Sequence, residues 1–175
     1  RAAGAGAAVS AGWTRTPHTG ARAEAVGGRI RDAADNGAKV LNMSLGSSGP
    51  ANCATSPNQP DCSPVIEAAM RYAVAKGCFI TVAAGNEFED TVPPFGKNPT
   101  SVLAEIASRI PGVVSVAAVD RNKAHAYYSS SGSYIALAAP GGSERGFGSA
   151  GFIRQQTFDF NFTDTFLLSP AQFRA

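Results

Sequence analysis

Apolar positions along the chain recur first at helical and then at strand spacing. A helix is predicted over 23–36 because Val26, Ile30 and Ala33 fall on one helical face. The Asn-Gly pair at its end supplies a left-handed stop, and the apolar run over 39–45 has the length of a buried strand. This part of the chain therefore predicts one helix followed directly by one strand.

Predicted helices and strands continue to alternate along the rest of the core. The further predicted elements are a helix over 64–77, a strand over 78–84, a helix over 101–109, and strands over 113–119 and 134–139. Ser63 is placed as the N-cap of the second helix, with Pro64 at its first helical position. Strands that are each fed by a helix favour a parallel sheet with right-handed crossovers. The fold class predicted is α/β, a parallel sheet flanked by helices on both faces in a three-layer sandwich, and incomplete.

The elements form one predicted domain core over 21–142. It follows a loose N-terminal tail over 1–20 and precedes a Gly-rich loop and an aromatic-rich segment over 143–175. The chain starts at Arg1 without a methionine, and its last part carries six phenylalanines without a steady period. We expect it to be a fragment of a longer protein.

Composition narrows the class of protein. Hydrophobic residues make up 44% and charged residues 16%, which is enough for a globular core. The net charge is +2 with both signs scattered, so there is no basic stripe of the kind that binds nucleic acid. No apolar run has the length of a membrane span. Nucleic acid and membrane are therefore not expected as partners.

Three cysteines are present, and two of them flank a polar loop. Cys53 and Cys62 are separated by eight residues, and a disulfide between them would indicate an oxidising compartment such as the cell exterior. Two free thiols are the alternative. No second cysteine pair or nearby histidine completes a zinc site. Cys78 falls within a predicted strand, as a small buried apolar residue.

Asn86 holds an unusual position for a polar residue. It directly follows the buried strand over 78–84 and Gly85, which lets the backbone turn sharply. The carboxyl ends of parallel strands are where α/β sheets bind ligands. Taken alone, an asparagine after a strand and a glycine is usually a turn residue bonded to local backbone.

Three segments together carry a family resemblance. They are Val40-Leu41-Asn42-Met43-Ser44-Leu45-Gly46, the run Ala83-Ala84-Gly85-Asn86-Glu87, and the stretch from Val113 through Tyr128-Ser129 and Gly132 to Ala138-Ala139-Pro140-Gly141-Gly142. In order and spacing they resemble the middle portion of the catalytic domain of the subtilisin-like serine peptidases, or subtilases, closely over about 25–142.

The resemblance implies roles for seven residues. Asn86 would be the oxyanion-hole asparagine, donating its carboxamide to the oxygen that becomes negative in the tetrahedral intermediate. The segment after the first strand would pair its main chain with an extended polypeptide substrate. The substrate-binding residues implied are Ser44, Leu45, Gly46, Ala83, Ala84 and Gly85, which wall a pocket suited to large apolar side chains.

The sequence lacks the residues with which this family performs acyl transfer. The aspartate motif, the His-Gly-Thr-His motif and the Gly-Thr-Ser-Met nucleophile motif of the family are absent from the sequence. Neither His18, in a turn-like segment, nor His125, in a polar loop, has the setting of a catalytic base. We therefore expect a secreted serine endopeptidase whose isolated 175-residue chain is inactive without the missing N- and C-terminal parts of its catalytic domain.

Two alternatives belong to other classes. Gly146-Phe147-Gly148-Ser149-Ala150-Gly151 fits the dinucleotide fingerprint G-x-G-x-x-G, but no helical face follows it, so a Gly-rich loop is the better interpretation. A peptide-binding pseudoenzyme would keep the fold without cutting.

No cofactor or metal site is predicted. The family often binds calcium, but Glu87, Glu89 and Asp90 are too closely clustered and too unspecific to assign.

Overall fold

The computed structural model describes residues 7–8, 19–46, 48–49, 64–89, 91–92, 96–151, 153, 157–158 and 173–174. A five-stranded parallel sheet organises them, in the order β1-β2-β4-β8-β9. Its strands are β1 (Ala7–Ala8), β2 (Val40–Met43), β4 (Phe79–Ala83), β8 (Val113–Val119) and β9 (Leu137–Pro140). The α-helices are α1 (Thr19–Asp35), α2 (Pro64–Ala75) and α3 (Val102–Ala107).

Short antiparallel pairs accompany the main sheet. They are β3 (Ser48–Gly49) with β7 (Thr100–Ser101), β5 (Thr91–Val92) with β6 (Gly96–Lys97), and β10 (Thr157–Phe158) with β11 (Phe173–Arg174). The first pair joins the segment after β2 to the segment before α3. These two-residue strands were not predicted, because they are too short to show a period.

One hydrophobic core joins the helices to one face of the sheet. Leu41, Ile80 and Val113 lie side by side across β2, β4 and β8 and are almost completely buried. Ile30 of α1 and Met70 of α2 belong to the same cluster, as does most of α3. The described helices therefore share a single layer on this face.

The opposite face of the sheet is open among the described residues. Val40, Phe79 and Leu137 are large apolar side chains, yet they are 44, 45 and 44% exposed. Val40 and Phe79 are direct neighbours in the register, and alternation along the strands turns both away from the helices. The described ranges contain no second helical layer, in keeping with an incomplete sandwich.

The predicted fold class is confirmed, and most element positions agree within a few residues. The predicted strand over 113–119 coincides with β8. The stop after α1 is a left-handed glycine, Gly37, with a φ of 83°. The strand predicted over 134–139 begins only at Leu137. The Ser115 hydroxyl donates to the carbonyl of Tyr134 and accepts from the N–H of Ala136, so a turn precedes the strand.

A polar and aromatic contact links α1 to α2. The Tyr72 hydroxyl donates to Oδ1 of Asp35 at 2.6 Å, and Nζ of Lys76 lies 3.2 Å from the same oxygen. The Arg31 guanidinium lies 5.0 Å from the centre of the Tyr72 ring. The hydrogen bond from Tyr72 and the neighbouring Lys76 ammonium hold the pKa of Asp35 below its ordinary value.

Candidate functional site

A cleft of about 700 Å³ lies on the open face of the sheet and reaches the carboxyl ends of β2 and β4. The strand ends place Leu45 and Asn86 at the same edge, because β2 and β4 are parallel neighbours and each residue lies shortly after the end of its strand. All seven residues with predicted roles line the cleft: Ser44, Leu45, Gly46, Ala83, Ala84, Gly85 and Asn86. The structure therefore brings the two predicted walls and the asparagine together.

Asn86 sits at the top of a sharp turn. Gly85 has a φ of 106°, a conformation that side-chain-bearing residues rarely adopt. The backbone N–H of Asn86 donates to Oε2 of Glu87 at 2.9 Å. Its side chain is exposed and lines the cleft, and no hydrogen bond engages the carboxamide within the described part of the chain. The carboxamide is thus free to donate to a bound molecule.

A polar chain of side chains crosses the sheet beneath the edge. The Thr81 hydroxyl donates to Oδ1 of Asn42 at 2.9 Å, and Nδ2 of Asn42 donates to the Ser44 hydroxyl at 3.1 Å. These bonds fix the side chain of Ser44 at the start of the predicted substrate-binding segment. Leu45 itself is buried, so the wall it forms is firmly packed.

Residues from the segment after β8 close another side of the cleft. The Tyr128 hydroxyl donates to the carbonyl of Gly142 at 3.1 Å, and the Ser129 hydroxyl accepts from the N–H of Ala118 at 2.9 Å. Burial raises the pKa of Tyr128, because it disfavours the ionised phenolate. Tyr128 and Ser129 both line the cleft.

The loop beyond the Asn86 turn is held by a charged pair. The Arg145 guanidinium bonds both carboxylate oxygens of Glu89 at 2.6 Å and lies 3.8 Å from the ring centre of Tyr127. The hydrogen bonds from Arg145 lower the pKa of the Glu89 carboxyl.

Among the described lining residues, only Glu87 carries a charge. The lining of the cleft is therefore mainly apolar, with uncharged polar side chains and one carboxylate among the described residues.

Two other residues considered in the sequence, Cys78 and His125, are described by the structure and do not line the cleft. Cys53, Cys62 and His18 lie outside the described residues. Cys78 is buried, and its thiol donates to the carbonyl of Ala38 at 2.9 Å. His125 is exposed, with its ring packed edge-on against Phe88 at 4.5 Å.

The dinucleotide interpretation does not fit the structure. Its glycine-rich segment contains a 3-10 turn over Gly148–Gly151 in place of an α-helix.

Sequence reasoning gave no role to three buried serines near the cleft. Ser101, Ser129 and Ser130 are at most 3% exposed. Ser101 lies beside Gly46, and its N–H donates to the hydroxyl of Tyr134 at 3.4 Å. For Ser129 and Ser130, the available signal was the polar run at 129–131 directly after a tyrosine pair. A run of serines reads as a surface loop, so burial could not be inferred from it.

A comparison with protein-family models decides the family. The model of the subtilase family matches residues 7–166. The chain belongs to the subtilase family. The family match and the parallel sheet flanked by helices support a partial subtilase domain.

Similar proteins agree with this membership. The thermophilic serine proteinase of Bacillus sp. strain AK1 is 35% identical over 109 residues, which are 62% of this subtilase chain and 21% of that protein. An extracellular protease of Xanthomonas campestris pv. campestris is 32% identical over 108 residues, 62% of this chain and 15% of that protein. The chain thus spans less than a quarter of either relative.

Among solved structures, the epidermin leader peptide processing serine protease of Staphylococcus aureus has a similar fold. It matches with a TM-score of 0.53 at 25% identity, over 70% of this chain and 32% of that one. Within the described ranges of our subtilase chain, no helix is both long and apolar enough to cross a membrane. The same ranges hold no cluster of three or more His, Cys, Asp or Glu side chains that could bind a metal ion.

Proposed function

We propose that this chain is part of a secreted subtilisin-like endopeptidase that hydrolyses peptide bonds, and that Asn86 is an oxyanion donor in it. One observation carries the proposal: in a subtilase chain, the Asn86 carboxamide lies unbonded among the described residues, at the rim of a cleft that Leu45 also lines. A donor that is oriented before reaction stabilises developing negative charge without the cost of reorganising water.

The substrate is an extended polypeptide that pairs with the main chain of Ser44–Gly46. An edge segment with free N–H and C=O groups binds any sequence, so selectivity falls to the adjoining pocket. Leu45 and Ala84 are buried, and Gly46 and Gly85 present no side chain to narrow the pocket. Large apolar side chains are the class that fits such walls.

The open face of the sheet has a different role in the proposal. Val40, Phe79 and Leu137 are too exposed and too apolar to remain in water in a working enzyme. We propose that further parts of the catalytic domain cover this face below the strand ends, leave the cleft open at Ser44–Gly46 and Asn86, and bring the aspartate, histidine and serine of the triad to that edge. The isolated chain is then inactive because it supplies a donor but no nucleophile.

Secretion is proposed on two grounds. One of the similar proteins is described as extracellular. Cys53 and Cys62 are also spaced for a loop disulfide, which persists in oxidising compartments.

A fluorophosphonate probe, which labels activated serines, tests the proposed activity. The 175-residue chain should give no stoichiometric adduct, whereas the full-length protein should be labelled on one serine outside these residues. A full-length protein that binds peptide but is never labelled would support the pseudoenzyme instead. Specific labelling of a serine within this chain would overturn the proposed division of residues.

A further inference from the structure

The turn that carries Asn86 is pinned by a segment far away in sequence. The N–H of Ser130 donates to the carbonyl of Gly85 at 3.0 Å, and the N–H of Glu87 donates to the Ser130 hydroxyl at 3.2 Å. The N–H of Phe88 continues the contact by donating to the carbonyl of Tyr128 at 3.0 Å. Residues on both sides of Asn86 are therefore bonded to the same neighbouring segment.

Glu87 completes the arrangement around Ser130. Its Oε2 accepts from the N–H of Asn86 at 2.9 Å and lies 3.3 Å from the Ser130 hydroxyl, which can donate to it. The Ser130 hydroxyl thus accepts from the N–H of Glu87 and can donate to the Glu87 carboxylate, which accepts from the preceding N–H of Asn86. Ser130 is 0% exposed, so water does not compete for these bonds.

The packing around the turn leaves little room for another arrangement. A Cβ added to Gly85 would lie 2.7 Å from Oε2 of Glu87 and 2.9 Å from Oγ of Ser130. The carboxamide of Asn86 has no bond of its own to orient it among the described residues. Its direction into the cleft therefore depends on how firmly the backbone below it is held.

We infer that Ser130, with Glu87, is a positioning residue that orients the Asn86 carboxamide toward a negatively charged oxygen in the cleft. This inference rests on the proposed function of Asn86 as an oxyanion donor. Preorganisation is what makes such a donor effective, so loosening the turn weakens it even when the asparagine is retained. Ser130 acts through Asn86 and touches no reacting atom.

The test measures binding of product-like peptides and needs no nucleophile. A short extended peptide ending in phenylalanine is prepared with a free carboxylate and, separately, with a C-terminal amide. In the cleft the carboxylate places a negative oxygen near Asn86, and the amide does not. We expect the chain to bind the acid about tenfold more tightly than the amide, which is the lower end of the range for one charge-assisted hydrogen bond and suits an exposed rim.

Four proteins separate positioning from general structural support: the unchanged chain, Asn86→Ala, Ser130→Ala and the double variant. Both single variants should lose most of the acid preference while the amide peptide binds as before. The double variant should lose no more than Asn86→Ala, because Ser130 acts through that side chain. Ser131→Ala is the matched control, since the Ser131 hydroxyl accepts from Nδ2 of Asn98 at 3.3 Å and does not bond the Asn86 turn.

A second variant keeps the inference testable if Ser130→Ala does not fold. Glu87→Ala removes a negative charge from the cleft, which by electrostatics alone would strengthen binding of the acid. Positioning predicts the opposite, a loss of acid preference, because the Asn86 N–H loses its acceptor.

The outcomes distinguish the inference from the function on which it rests. An acid preference that disappears in Asn86→Ala but persists in Ser130→Ala and Glu87→Ala overturns the positioning role alone. No acid preference in the unchanged chain, or one that survives Asn86→Ala, overturns both the proposed oxyanion role and the inference.

Discussion

The carbonyl of Gly85 accepts a hydrogen bond from the N–H of Ser130 at 3.0 Å, joining the end of the central strand to the segment after β8. This hydrogen bond holds a turn just after the carboxyl end of β4, where the chain could otherwise continue straight. A glycine is needed at this turn because the backbone of Gly85 takes a φ of 106°, which residues with side chains rarely adopt. The position of Asn86 follows from it.

Gly85→Ala should therefore destabilise the chain. The added methyl meets Glu87 and Ser130 within 3 Å and the backbone is in the left-handed region, so we expect a loss of about 1–3 kcal/mol in the free energy of unfolding by urea titration. Gly28→Ala is the control, because it lies in α1 with open space around it. That control should gain about 0.5–1 kcal/mol. Equal effects at both positions would contradict the strained turn.

Truncating two adjacent residues of β4 should lower the free energy of unfolding by very different amounts. Ile80 is 0% exposed in the core, so Ile80→Ala should cost about 2–5 kcal/mol. Phe79 points to the open face, and Phe79→Ala in the same chain should cost less than about half as much, because the loss scales with the apolar area removed from water. Comparable losses in urea titrations would mean that the open face is covered in this chain.

The contact between α1 and α2 predicts the direction in which the stability of the chain changes with pH. The hydrogen bond from Tyr72 and the Lys76 ammonium lower the pKa of Asp35 from its ordinary 3.8 in the folded state. Its contribution to stability is therefore complete above about pH 4 and is lost as the pH falls through the lowered folded value. The stability difference between the unchanged chain and Asp35→Asn should shrink over that window. A difference that is constant with pH would contradict the contact.

Elements of the fold could be predicted from the sequence where the spacing of apolar residues indicates which positions are buried. The run over 113–119 is apolar enough to be a buried strand in any interpretation, and the glycine at Gly37 marks a helix end through its backbone freedom. Leu45 and Asn86 could be placed at one edge because parallel strands align their carboxyl ends. These inferences depend on local chemistry and topology alone.

Other features depend on long-range contacts that no local pattern carries. Ser130 is buried because the Gly85 turn lies against it, and a serine run gives no sign of that. The start of β9 is delayed because the Ser115 hydroxyl bonds two backbone groups of the preceding turn. The sequence predicted helices on both faces of the sheet, and no local pattern could show that one face is open among the described residues.

We propose that the Asn86 carboxamide stabilises the oxyanion in the full-length protease. Asn86→Ala in that enzyme should lower kcat by about 100- to 1,000-fold with KM nearly unchanged, a magnitude borrowed from oxyanion-donor removal in a related subtilisin. Asn122→Ala, at an exposed loop outside the cleft, should leave kcat at its original value. The claim is contradicted if kcat of Asn86→Ala stays within a few-fold of the unchanged enzyme.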